Sequence, residues 1–165
     1  MIVGKADIDG VLTVTPEIFE DYRGYYVETY NQDDYQAAGI TVHFVQDDVS
    51  VSRHGVLRGL HGDAKTWKLI SCLHGEIYLA VLDCRDGSAT KGRWQGFTIS
   101  DRNRLQVLVP PGVANGHAVL SDRAIFHYKQ SEYYDPAGQF TVKWNDPAYG
   151  VWWPISNPIL SQRDR

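Results

Sequence analysis

Short β-branched and aromatic runs, each cut off by a turn, recur from one end of this chain to the other. Residues 11–14, 25–30, 41–52, 67–73, 77–83, 94–100, 105–109, 116–120, 124–131 and 140–144 all read as strands. Glycine, proline or Asp-rich turns separate them, at roughly 8–12-residue spacing, the pattern of a sandwich or small barrel. Ten Tyr, five Trp and five Phe beside 15 Gly favour the same all-β core over a helical bundle. Only residues 31–39 carry helix signals: Asn31 as cap, Asp33 and Asp34 in the first turn, and Gly39 as terminator.

No repeat, linker or low-complexity stretch divides the chain, so its 165 residues are expected to form a single domain, 1–165. Some connections read as hairpins. His74-Gly75-Glu76 would join residues 67–73 to 77–83, and Ser121-Asp122-Arg123 would pair 116–120 with 124–131. Pro147, Pro154 and Pro158 keep the segment after residue 144 irregular.

A formal net charge of −4 argues against a nucleic-acid or anionic-membrane binder. No apolar run reaches membrane-spanning length, and the N-terminus lacks a charged-then-apolar signal pattern. Cys72 and Cys84 lie in apolar strand-like runs without CxxC spacing, as reduced thiols of a cytoplasmic protein would.

The chemistry concentrates in residues 53–70. Arg58 and Lys68 are an even number of positions apart and share strand parity. His61 is one step off, beside Gly62, where a bend or bulge would re-aim it. Two readings stand on these residues alone: a solvated strand face with scattered charges, or a site with an anion-binding Arg, a titratable His and a Lys. His61 with Lys68 would supply a general base and an oxyanion-stabilising cation, whereas an isolated His is more often a hydrogen-bonded core residue. Tyr128 reads as a packing aromatic or an acid, and Arg23 and Arg58 as surface charges or phosphate anchors. A metal centre is not expected. His61 and His117 supply two ligands, with no third ligand at suitable spacing.

Taken together, the motifs resemble a known family. They are Arg23-Gly24 with Glu28, Gln46 to Ser52, Gly55-Val-Leu-Arg-Gly-Leu-His61, Lys68-Leu69, Gly75 to Arg85, Pro111-Gly112, Tyr128-Lys129, Trp144-Asn-Asp-Pro147, Trp153-Pro154 and Leu160-Ser161 with Asp164. Their order over residues 10–164 is similar to that of cupin-fold nucleotide-sugar epimerases of the dTDP-4-dehydrorhamnose 3,5-epimerase type. The resemblance implies an all-β cupin jelly-roll with one short N-terminal helix. It also implies a homodimer acting on a nucleotide-diphosphate 4-keto sugar without metal or redox cofactor. It makes His61 the base oriented by Asp164, Lys68 the enolate-stabilising cation and Tyr128 the acid on the opposite ring face. Arg58 would bind diphosphate, with Arg23 reaching over from a second subunit. Glu28, Gln46 and Tyr134 would contact nucleotide or sugar.

The chain departs from the family pattern at His61-Gly-Asp63, at Asn115 with His117 two places on, and at Asp48. Those departures resemble a branch acting on GDP-linked 4-keto heptoses, and they add Asp63, Asn115 and His117 to the candidate substrate contacts. Inversion at C3 alone, a 3,4-ketoisomerase, or a non-catalytic sugar-nucleotide-binding cupin are the alternative readings.

Overall fold

Thirteen strands, one short α-helix and a single 3-10 turn at Pro136–Gly138 make up the regular structure of the computed structural model, which describes residues 1–165. In chain order they are β1 (Ile2–Lys5), β2 (Leu12–Thr15), β3 (Ile18–Asp21), β4 (Gly24–Val27), α1 (Gln32–Ala37), β5 (Gln46–Arg53), β6 (Leu57–Asp63) and β7 (Lys68–His74). There follow β8 (Glu76–Asp83), β9 (Trp94–Ser100), β10 (Gln106–Val109), β11 (Val113–Val119), β12 (Arg123–Gln130) and β13 (Gln139–Thr141). A six-stranded sheet, β1-β2-β10-β7-β12-β5, packs against a five-stranded one, β13-β6-β11-β8-β9, and β3 and β4 pair as a separate hairpin. The antiparallel pairing within both sheets gives a jelly-roll.

Alternation along each strand sorts side chains between layers. On β8, Ile77, Leu79 and Val81 point between the sheets, where they meet Ile70, Val107 and Phe126 of the other sheet. Ala80 and Leu82 point outward and are covered by the irregular C-terminal segment through Trp144, Trp153 and Leu160. The outer side of the six-stranded sheet buries Leu69 and Leu108 under Tyr35 of α1. Burying each such Leu or Ile is worth about 1.5–3 kcal/mol. Helix α1 forms as expected, with the Asn31 side chain accepting from the backbone N–H groups of Asp33 and Asp34.

Two expected hairpins are absent. β7 bonds to β10 and β12, while β8 bonds to β11 and β9, so the turn at Gly75 carries the chain from one sheet to the other. β11 and β12 are likewise in different sheets. The two corners lock together: Glu76 N–H donates to Ser121 Oγ at 2.9 Å. Gly75 has φ +77°, and a Cβ there would lie 2.2 Å from Arg123 O. Tight glycine turns between apolar runs have the same local chemistry whether they close a hairpin or cross a sandwich.

Candidate active site

The space between the sheets opens at one end into a cavity of about 500 Å³. Arg58, His61, Lys68, Asn115, His117, Tyr128, Tyr134 and Asp164 line it. The Arg58–His61 segment reaches this arrangement through a bulge at Gly59, three residues before the expected position at Gly62. His61 is opposite Asn115 and Arg58 is opposite His117, so β6 spends three steps where β11 spends two. Leu57 and Leu60 therefore both pack outward, while Arg58 and His61 both point into the cavity. Gly59 is required at the bulge. Its φ is +117°, and a Cβ would approach Gly116 Cα to 2.6 Å and Asn115 O to 2.8 Å. Lys68 reaches the cavity from β7 in the opposite sheet, so shared strand parity with Arg58 is not what brings the two cations together.

The C-terminal segment completes the site. Ile159 binds the start of β6, donating from its N–H to Gly55 O at 2.8 Å and accepting from Leu57 N–H at 3.1 Å. The following turn delivers Asp164, whose side chain is only 2% exposed, to His61. His61 Nε2 donates to Asp164 Oδ1 at 2.6 Å, and Ser161 Oγ donates to Asp164 Oδ2 at 2.8 Å. A carboxylate accepts only, so Nε2 carries the proton and Nδ1 keeps its lone pair. Burial pulls the His61 pKa below the usual imidazole value, against the opposing pull of Asp164. The imidazole is thus neutral near pH 7 and able to accept a proton.

Lys68 is 8% exposed, and burial lowers its pKa while Asp63 and Asp48 counteract that pull. Its ammonium lies 6.0 Å from the centre of the Tyr128 ring. Burial, with smaller contributions from Asp48 and Tyr134, pushes the Tyr128 phenol up to about 12, so it holds its proton at neutral pH. On β11 the buried His117 stacks on Phe126 with centroids 4.0 Å apart. Burial, then the nearby Arg58 and His61, pull its pKa down to about 3.

Not every expected residue is here. Asp63 is 7% exposed and outside the cavity wall. Its Oδ1 accepts from Lys65 N–H at 2.7 Å and from Thr66 N–H and Oγ1 at 3.0 Å, and Oδ2 accepts from Gln139 Nε2 at 3.1 Å. Arg23 stands at the exposed tip of the β3–β4 hairpin, paired with Asp21, and Glu28 is exposed just beyond β4. Neither Arg23 nor Glu28 lines this cavity. Gln46 does, with its carbonyl accepting from Tyr134 N–H at 3.0 Å.

Wall residues not expected as contacts include Asp48, noted in the sequence only as a departure from the family pattern, Gln130 and Arg163. Asp48 Oδ2 accepts from Gln46 Nε2 at 2.8 Å and from Gln130 Nε2 at 2.6 Å. Strand parity with Gln46 and with Tyr128 marks Asp48 and Gln130 as inward-facing. Arg163 in the irregular segment has no comparable signal.

A carboxylate-oriented imidazole, a buried ammonium and a protonated phenol around one cavity define a jelly-roll protein equipped for acid–base chemistry. A family model described as dTDP-4-dehydrorhamnose 3,5-epimerase matches residues 5–165. A dTDP-4-dehydrorhamnose 3,5-epimerase of Salmonella typhimurium is 42% identical, the alignment covering 99% of this chain and 92% of that one. Its counterpart from Methanothermobacter thermautotrophicus is 40% identical over 98% of this chain and 90% of its own length. The crystal structure of dTDP-6-deoxy-D-glucose-3,5-epimerase from Legionella pneumophila, in complex with dTDP-4-keto-L-rhamnose, is similar with a TM-score of 0.94. It is 38% identical and covers 99% of this chain and 89% of that one. The chain belongs to the dTDP-4-dehydrorhamnose 3,5-epimerase family.

Proposed function

We propose that this chain is a nucleotide-4-keto-sugar epimerase that inverts C3 and C5 of its substrate through an enolate. The observation that carries this reading is the His61–Asp164 contact at 2.6 Å in a cavity also lined by Lys68 and Tyr128. A C4 ketone acidifies the hydrogens on C3 and C5. His61 Nδ1 takes one of them, and the electron pair moves onto the ketone oxygen as an enolate. Asp164 holds the imidazole in place and stabilises the imidazolium that forms. Lys68 faces the enolate oxygen, a preorganised cation of a kind typically worth about 2.7–4 kcal/mol in the transition state. Tyr128 returns a proton on the opposite face, which inverts the carbon.

Arg58 holds the diphosphate, and Gln46, Tyr134, Asn115 and His117 contact sugar or nucleotide. Asp63 acts from behind the wall, fixing the 63–66 turn before Lys68. The protein works in the cytoplasm as a homodimer, in which Arg23 and Glu28 of one subunit complete the site of the other. Exposed Phe19, Tyr25 and Tyr26 on the β3–β4 hairpin and Val49 and Val51 on edge strand β5 support that assembly.

The test is incubation in D₂O with dTDP-4-keto-6-deoxyglucose and, separately, a GDP-linked 4-keto heptose, following C3 and C5 by NMR. Deuterium at both carbons with inversion is expected from at least one. Exchange at C3 alone reduces the assignment to a 3-epimerase, and a product with its carbonyl moved to C3 makes it a ketoisomerase. No exchange with either sugar overturns the reading.

A further inference from the structure

Two buried polar atoms in the cavity wall have no partner within the protein: Asn115 Oδ1 and His117 Nε2. They sit two residues apart on β11, on the side that faces between the sheets. His117 itself is 3% exposed. Leaving such an atom buried and unpaired costs about 1–3 kcal/mol, so each is placed for a group that arrives with the ligand.

We propose that Asn115 and His117 form a specificity subsite that binds the hydroxyl on C2 of the substrate's sugar ring. The inference rests on the assignment of Arg58 to the diphosphate and His61 to the reacting carbon. Cross-strand pairing fixes the position, because Asn115 is opposite His61 and His117 is opposite Arg58. The two residues therefore span the stretch of substrate between the C1 phosphate and C3, and C2 is the carbon between them.

The chemistry of the two orphans selects the group. Asn115 Oδ1 only accepts, so a phosphate oxygen or ketone, which cannot donate, would leave it unsatisfied. The neutral His117 ring offers a donor or a lone pair at Nε2. A hydroxyl donates its one proton to Asn115 Oδ1 and accepts from His117 in the tautomer that carries its proton on Nε2. The Cα atoms of residues two apart on a strand lie about 7 Å from each other, a span that converging side chains and one hydroxyl close with two hydrogen bonds.

The experiment compares two unreactive ligands, dTDP-6-deoxyglucose and its 2-deoxy analogue, by titration calorimetry against the whole protein. The wild type should bind the 2-hydroxy ligand at least tenfold more tightly. That ratio should collapse in Asn115→Ala or in His117→Phe, which keeps the stack on Phe126 while removing the ring nitrogens. A wild-type ratio below tenfold overturns the proposal, and so does a ratio that both variants retain. Because the readout is binding, it is independent of whether the protein catalyses solvent exchange, the result on which the epimerase assignment depends.

Discussion

His61 is the residue on which the proposed chemistry turns, and its surroundings set two expectations. Replacing it with Asn should lower deuterium exchange at both C3 and C5 by about 10²–10⁴-fold, as measured by NMR. Tyr128→Phe should depress net inversion far more than exchange, since the base can return a proton to the face it came from. A third expectation concerns pH. Burial lowers the pKa of His61, and that of His117 to about 3, relative to imidazoles in the unfolded chain. Below about pH 6.5 the unfolded chain therefore takes up protons that the folded one refuses, and stability falls as pH falls. For His117 the loss is about 1.4 kcal/mol per pH unit down to its folded value. Denaturation midpoints measured between pH 6.5 and 4 should slope less steeply in His117→Phe than in the wild type. The chemical types at positions 58, 61, 68 and 128 were legible in the sequence as potential site residues. Asp164 was not legible from the residues themselves, because a lone Asp in an irregular segment carries no periodicity, and only the family resemblance pointed to it. Asp63 entered the candidate contacts only through the departure from the family pattern at His61-Gly-Asp63, and in the structure its carboxylate accepts from the 63–66 turn and from Gln139.

At the scale of elements, the bulge in β6 is the device that turns a strand into a site. Period-2 alternation would place either Arg58 or His61 between the sheets, never both, and the extra residue resets the phase. Gly59→Ala should therefore be among the most disruptive single-methyl additions in the chain. It should lower the thermal midpoint by well over 5 °C, and the surviving folded fraction should lose activity through displacement of His61. Most strand positions and the capped helix were readable because each carries its own local pattern, although β1, β3 and β6 were not among the expected strand ranges and residues 41–45, expected as strand, are irregular. Pairing partners were not. β7 and β8 both present apolar side chains on both faces, so nothing within them says whether they lie side by side or in opposite sheets. The choice is made by contacts remote in sequence, such as β7 with β10 and β12.

For the whole molecule, the proposed dimer makes the hairpin and edge strand β5 part of the active site. Phe19 is 56% and Val51 49% exposed, a large apolar surface for a monomer to leave in water. The double variant Phe19→Glu, Val51→Lys should sediment as a monomer in analytical ultracentrifugation. Its substrate affinity should weaken as Arg23 is withdrawn, with the fold retained by circular dichroism. The order in which the parts come together has a consequence of its own. His61 and Asp164 are 103 residues apart, and their contact depends on the C-terminal segment docking beside β6. On refolding from denaturant, strands and core can assemble while the imidazole is still unoriented. Catalytic competence then returns as a late event, lagging the recovery of the far-ultraviolet circular dichroism of the strands, and enzyme activity serves as a clock for the final seating of the chain's last turn.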